Sequence, residues 1–256
     1  RGRWTDRGME WLRPLLAFSR ANLQDFLRAQ RQGWCNDPSN EDPAFMRVRM
    51  RQAASDLEAL GLTGHRLATT ATRMGFVQEA LEFSTRELWP QVAQIDFTDV
   101  LFDQVSLSRL PREYVERMVS DALNWISGQP YRPRNSALLR AIAAKKTATL
   151  HGCVLIPQSG DVLRISREFS AVEGQVVQAG APWDSRISMK NFKKSYEIRA
   201  LGPHGLGQCP KWRDSGRPRL ALLASPSVWQ GQTLLAAPMA QFGPKDMLEV
   251  VSQLWE

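Results

Sequence analysis

Trp11 to Arg51 reads WLRPLLAFSRANLQDFLRAQRQGWCNDPSNEDPAFMRVRMR: a helix with clear start and stop signals, then a turn, then an arginine-dense strip. Ser19 is a natural N-cap, because its hydroxyl accepts from an orphan N–H of the first turn. Leu23, Phe26 and Leu27 follow at helical spacing. Gly33 is placed to end the helix in the left-handed conformation. Trp34 to Phe45 is a connection holding Pro38 and Pro43, and Asp37-Pro38-Ser39-Asn40 carries the residue types a β-turn favours. From Met46 the pattern is helical again, as far as Gly61.

The same reading carries downstream. The spacing predicts a long helix from His65 to Leu88, with Leu67, Ala71, Met74, Ala80 and Leu81 on its apolar side and Gly75 weakening its centre. Pro111 suits the first turn of a third helix. Its buried stripe is Tyr114, Val115, Met118, Val119, Ala122, Leu123 and Ile126, and Gly128 and Pro130 end it. Ser136 is placed to cap a short helix through Leu138, Leu139 and Ile142. Near Lys145 the character changes. Thr147 to Ile156, a turn at Gln158-Ser159-Gly160-Asp161, and Val162 to Phe169 read as a β-hairpin. Tyr196–Leu201, Leu220–Ala224 and Thr233–Ala237 are further strand candidates, and Pro244 to Trp255 reads as a closing short helix. The expectation is an α+β chain: a mainly helical domain, a boundary near residue 147, then a smaller mixed α+β domain.

Composition narrows the class. Of 256 residues, 43% are apolar and 23% charged, as in ordinary globular domains. No apolar run approaches about 20 residues, so no membrane partner is expected. The start, RGRWTDRGMEW, has no apolar core of a secretory signal and reads as cut from a longer chain. Cys35, Cys153 and Cys209 are odd in number and never paired as CxxC, which argues against a disulfide framework or zinc site and for a reducing, cytoplasmic setting. His65, His151 and His204 are scattered, so no metal site is expected. The net charge of +7 comes from the two ends: residues 1–51 carry 10 basic against 6 acidic groups, residues 52–150 carry 11 of each, and residues 151–256 carry 12 against 9. A basic excess suits a polyanionic partner.

Arg47, Arg49 and Arg51 alternate with Val48 and Met50. On a helix Arg47 and Arg51 share a face. Two guanidiniums beside a turn with Asp37 and Asn40 suit a phosphate or carboxylate clamp. A solvated helix face, or pairing of Arg47 with Asp37, Glu41 or Asp42, explains the same residues.

The string Arg13-Pro14-Leu15-Leu16, Trp34, Asp37-Pro38-Ser39-Asn40 and Arg47-Val48-Arg49-Met50-Arg51 resembles the tRNA(Ile)-lysidine synthetases in order and spacing. Val48 stands where that family usually has Asn, so a role for that amide is not carried over. The likeness continues through Tyr131-Arg132-Pro133-Arg134, and through Gly152, Arg167-Glu168 and Trp183-Asp184. It implies an enzyme that uses ATP, with Mg, to adenylate the wobble cytidine of the CAU-anticodon isoleucine tRNA, lysine then displacing AMP. It also implies an S-G-G-x-D-S loop, whose backbone amides cradle phosphate. Gln158-Ser159-Gly160-Asp161 and Asp214-Ser215-Gly216 are the nearest strings here, and neither has the second Gly. The expectation is therefore that the Rossmann-like PP-loop domain is absent, that no ATP binds this portion, and that alone it is inactive. On this reading residues 1–51 are the tail of the ATP-binding domain and a connecting helix, 52–146 a helical tRNA-binding or substrate domain, and 147–256 a C-terminal α+β tRNA-binding domain. Arg13, Asp37, Asn40, Arg47 and Arg51 are the family-pattern positions. The resemblance leaves pairing into a homodimer open.

A second basic cluster comprises Arg186, Lys190, Lys193, Lys194 and Arg199, interleaved with Phe192 and Tyr196, followed by Lys211, Trp212, Arg213, Arg217 and Arg219. Basic groups with aromatics between them suit an RNA backbone and an unstacked base. An exposed loop with its aromatics turned into a small core is the other reading. The resemblance favours RNA, since the family's C-terminal domain touches tRNA. Two further classes stay open: a non-enzymatic protein–protein or general RNA-binding module, and a sister PP-loop ligase such as a tRNA thiolation enzyme, a class that often carries the Cys pairs missing here. Trp125 beside its helical stripe reads as core.

Overall fold

The computed structural model describes residues 3–6, 9–178, 180–190, 195–252 and 254. Contacts divide the chain into two compact units, Arg1–Met74 and Gly75–Glu256.

The first unit opens with an antiparallel hairpin of β1 (Arg3–Asp6) and β2 (Met9–Leu12). α1 (Arg20–Ala29) starts as expected: Ser19 Oγ accepts from Asn22 N, and Asn22 Oδ1 accepts from Ser19 N, a reciprocal cap. It ends earlier than expected. Arg31, at φ 55°, is the left-handed residue rather than Gly33. A 3-10 turn covers Pro38–Glu41. The helix expected from Met46 to Gly61 breaks at Ala53 into α2 (Met46–Gln52) and α3 (Ala54–Ala59). α4 (Gly64–Val92) begins in the first unit and continues into the second; it contains the long helix expected at 65–88 and tolerates Pro90 near its end. Its expected apolar side is not buried, since Leu67 and Met74 are exposed, as are Phe76, Val77 and Phe83.

In the second unit β3 (Ala93–Asp96) and β4 (Asp99–Asp103) form a hairpin closed by Phe97-Thr98. α5 (Gln104–Ser108) and α6 (Arg112–Ser127) follow, Pro111 preceding α6 and Gly128 at φ 68° ending it. α7 is Asn135–Ala143, with Arg134 rather than Ser136 at its N-cap. Next come β5 (Ala148–Leu150), β6 (Cys153–Gln158) and β7 (Val162–Arg167). Leu150 faces Cys153, so His151 and Gly152, both at positive φ, make a two-residue turn. These strands join one antiparallel sheet of order β3-β4-β7-β6-β5. The boundary expected near residue 147 thus falls inside the second unit, because strands on both sides of it share that sheet. Its helical half was read without β3 and β4, whose four and five residues are too short for a firm alternation.

Side-chain alternation explains the layering. Val100, Phe102, Leu155, Leu163 and Ile165 join Met118, Leu123 and Ile126 of α6 and Leu138 of α7 in one core, Trp125 included. Each large aliphatic or aromatic side chain fully buried there contributes about 1.5–3 kcal/mol. Residues of opposite phase, Val154 and Ile156, pack on Ala221 of the later helix α10.

The remainder builds α8 (Phe169–Val172), β8 (Val176–Gln178), β9 (Ile187–Met189), β10 (Glu197–Ala200), α9 (Gly202–Gly207), α10 (Arg219–Ala224), β11 (Pro226–Gln230), β12 (Thr233–Ala236) and β13 (Leu248–Val250). A second antiparallel sheet has the order β12-β11-β10-β8, and β13 pairs with β9. Two expectations are corrected here. Leu220–Ala224 is helical, its apolar run being buried as one turn begun by Pro218. Leu248–Val250, within the closing segment read as a helix, is a strand pairing with Ile187–Met189. Among the described residues no helix is long and apolar enough to cross a membrane.

Candidate nucleic-acid interface

In the first unit the arginine strip is solvated. Arg47, Arg49 and Arg51 are exposed on α2, while Val48 beside them is buried. Arg51 Nη2 donates to Asn40 O at 3.4 Å, and Asn40 Nδ2 donates to Asp37 O at 3.1 Å. Arg51, Asn40 and Asp37 are thereby joined around the turn. Arg47 lies over the Phe45 ring at 5.4 Å. Arg13 sits apart, in the turn after β2, where its carbonyl accepts from Leu16 N. The first-turn amide of α1 is given to Ser19 Oγ, and no group of three or more His, Cys, Asp or Glu among the described residues suits a metal ion.

The second unit holds a buried chain of charge. Arg217 Nε donates to Asp96 Oδ2 at 3.0 Å, and Arg164 Nη1 lies 2.8 Å from the same Asp96 oxygen and 2.7 Å from Asp99 Oδ2. Ser166 Oγ donates to Asp99 Oδ2 at 2.8 Å. Arg186 Nη1 donates to Thr98 O at 3.3 Å, and its Nη2 lies 3.4 Å from Asp184 Oδ2. Arg167 grips Asp184 through Nε at 3.0 Å and Nη2 at 3.2 Å, and donates from Nη1 to Gly152 O at 2.6 Å. Gly152, Arg167 and Asp184, three scattered pieces of the sequence pattern, therefore meet. A Cβ at Gly152 would come within 2.5 Å of Arg167 Nη1, at a φ of +69° that already favours glycine.

Burial pushes Asp99 up to about 6, against the pull of Arg164 and Ser166. Burial also raises Asp96, but hydrogen bonds and charge from Arg217 and Arg164 outweigh it and hold it below its usual value. Asp99 in the folded state thus keeps a proton that the unfolded chain releases above its ordinary value of 3.8. Its contribution to stability is full below that value and is lost as pH rises through about 6. Carboxyl NMR should show Asp99 titrating near pH 6 and Asp96 below the usual aspartate range. Coincident midpoints at the usual value would contradict the burial argument.

The basic cluster divides. Arg186, expected to face RNA, is 3% exposed and belongs to the buried chain, with its guanidinium 4.9 Å from the Trp125 ring. Charge density along the sequence does not distinguish an arginine buried beside an aspartate two residues earlier. Lys193 and Lys194, with Phe192, lie outside the described residues. Lys190 is exposed and 3.7 Å from Glu249. Lys211 and Arg213 are exposed, Arg213 lying 4.5 Å over Trp212. Arg199 lies 4.0 Å over Trp229. Both indoles belong to one apolar cluster, with Trp229 buried in it and Trp212 packed against it. Arg199 and Arg213 are thus the cluster positions held over one small core, and Lys211 is exposed two residues before Arg213. Trp183 is core as well: it is 1% exposed and its Nε1 donates to Gln175 O at 3.1 Å.

Around Arg199 is a cleft of about 300 Å³ whose lining includes Phe169, Glu173, Arg199, His204, Trp229 and Gln232. The indole is locked. Its Nε1 donates to Ser227 Oγ at 2.8 Å, and Ser227 Oγ donates to Arg199 O at 2.9 Å. Gly205 admits it, since a Cβ there would meet Trp229 Cζ2 at 2.7 Å and Leu201 Cδ1 at 2.6 Å. His204 stacks on the indole, with centroids 5.9 Å apart and planes 19° from parallel. His204 and Trp229, 25 residues apart, were not linked in the sequence.

Residues 3–57 match the model of a PP-loop domain. This corrects the expectation that the domain is absent: the first unit carries a stretch of it, although the S-G-G-x-D-S string is not in these residues. Over 237 residues the chain is 41% identical to the tRNA(Ile)-lysidine synthase of Ruegeria pomeroyi, covering 91% of the chain and 56% of the relative. The tRNA(Ile)-lysidine synthase of Caulobacter vibrioides is 30% identical over 207 residues, 76% of the chain and 43% of the relative. That of Wolbachia pipientis wMel is 28% identical over 194 residues, 71% of the chain and 44% of the relative. The resemblance drawn from the Arg13 to Arg51 string is borne out, and the chain spans about half the length of the curated relatives it matches.

Proposed function

We propose that this chain is part of a tRNA(Ile)-lysidine synthase, an ATP-dependent ligase that converts the wobble cytidine of CAU-anticodon isoleucine tRNA to lysidine, and that it supplies tRNA contacts. The observation that carries the reading is the 41% identity to the Ruegeria pomeroyi tRNA(Ile)-lysidine synthase, which runs through both units and not only the PP-loop match. The second unit adds physical support. Arg199 and Arg213, each lying over an indole, and the exposed Lys211 present cationic groups of the kind that bind RNA phosphate. In this proposal Arg13, Asp37, Asn40, Arg47 and Arg51 are the family-pattern positions within the PP-loop stretch. Lysine and ATP are substrates of the whole enzyme, and the setting is the cytoplasm.

The second reading is a protein–protein module. It is favoured by the exposed Phe76 and Phe83 on α4, since large exposed apolar groups often mark contact surfaces. A filter-binding titration with the CAU-anticodon isoleucine tRNA at several salt concentrations separates the two. The tRNA reading predicts saturable binding whose logarithm falls linearly with the logarithm of salt. No binding, or binding indifferent to salt, would leave the protein–protein module.

A further inference from the structure

The cleft beside Trp229 is more selective than a basic patch requires. Of the five N–H groups of Arg199, one donates to Gly231 O at 2.9 Å, while the guanidinium carbon lies 4.0 Å from the centre of the indole. These two contacts hold the guanidinium in the cleft and leave its other donors for a ligand. His204 is exposed and stacks on Trp229. Gln208 Nε2 lies 3.0 Å from His204 Nε2 and 3.4 Å from Gln232 O, which holds the ring in place. A fixed aromatic face next to a fixed guanidinium is the pairing that holds an unstacked base and its phosphate. The volume of about 300 Å³ is at the lower end for ligand pockets, which suits one nucleoside rather than a run of them. Glu173, exposed in the cleft lining, opposes a doubly charged phosphate about twice as strongly as a singly charged phosphodiester.

We infer that the cleft takes one unpaired nucleotide of an RNA strand, its base on the outer face of His204 and its phosphate at Arg199. This rests on the tRNA-binding reading and names the kind of nucleotide it adds. The base contact is a stack, so it tolerates any base. The phosphate contact is charge-assisted and salt-sensitive. Lys211 and Arg213 lie outside the cleft lining, so they strengthen RNA binding without reading whether a nucleotide is paired.

The test uses the full chain, a five-nucleotide single-stranded RNA with 2-aminopurine at its centre, a blunt RNA duplex, AMP, and the tRNA. Wild-type chain should quench 2-aminopurine. His204→Ala should weaken the single strand about tenfold, a typical loss for one base stack, and leave the blunt duplex within twofold. His204→Phe should restore both affinity and quenching, which also controls for folding. Arg199→Gln should weaken the single strand and lower its salt dependence. Equal losses for single strand and duplex, or no loss in His204→Ala, overturn the inference while leaving tRNA binding intact. AMP binding as tightly as the pentanucleotide overturns the RNA source in favour of a free nucleotide. A chain that binds neither the pentanucleotide nor tRNA overturns this inference and the tRNA reading together.

Discussion

Replacing Arg164 with methionine should lower the unfolding free energy by about 3–5 kcal/mol. One guanidinium nitrogen of this residue serves two carboxylates, Asp99 at 2.7 Å and Asp96 at 2.8 Å. Arg164 and Asp99 are buried, on the sheet face opposite the main core. The substitution leaves Asp99 with Ser166 and Thr98 and no cation close by, and an uncompensated buried carboxylate is costly. Asp96 keeps Arg217 and suffers less. Urea denaturation of the single variant and of Arg164→Met with Asp99→Leu separates pairing from packing. The double variant should recover much of the loss, because an apolar pair of similar volume avoids desolvating charge. A loss below about 1 kcal/mol in the single variant would mean the carboxylates are solvated, contrary to the burial described.

Converting Arg199, Lys211 and Arg213 to glutamine should reduce tRNA affinity by on the order of tenfold to a hundredfold at moderate salt and flatten the log–log salt slope by about two to three. Each substitution removes one cation that can displace a counterion, and in the tRNA-binding proposal each residue pairs with its own phosphate, so the effects add. Lys211 and Arg213 are exposed, and surface changes of this kind shift stability by only about 0.5 kcal/mol. Arg199 also rests on Trp229, so the melting temperature should be measured alongside. By contrast Arg186, counted with the same cluster in the sequence, should act on stability and not on the salt slope. Its guanidinium lies among Thr98, Asp184 and Trp125 in the interior. A triple variant with unchanged slope would remove these residues from the interface.

How much of the fold was legible in the sequence depends on the range of the forces involved. The cap of α1 at Ser19 and the stop of α6 at Gly128 depend on neighbours within a few residues, and both stand. The turn after Gln158 that joins β6 to β7 is similarly local, whereas Thr147–Ile156, expected as one strand of that hairpin, is split into β5 and β6 by the positive-φ pair His151-Gly152. Leu220–Ala224 was open to two readings because a five-residue apolar run has no period long enough to tell strand from buried helix. β13 becomes a strand only because Ile187–Met189 offers a partner more than fifty residues earlier, which no local pattern records. The charged chain is similar. Asp96, Asp99, Arg164 and Arg217 are ordinary polar residues until distant segments fold together. The family-like string at the start was legible because order and spacing over forty residues are specific. It did not disclose that residues 3–57 match a PP-loop domain, because these residues do not contain the glycine-rich string by which that domain is read.

The most direct measurement of the central claim is competition at a single physiological salt concentration. Labelled CAU-anticodon isoleucine tRNA bound to the full chain is challenged with unlabelled isoleucine tRNA, with an unrelated tRNA, and with a random RNA of equal length. Displacement by the isoleucine tRNA at concentrations at least tenfold lower than by the random RNA is the predicted result, with the unrelated tRNA between them. Equal displacement by all three would contradict it and reduce the chain to a general RNA-binding surface.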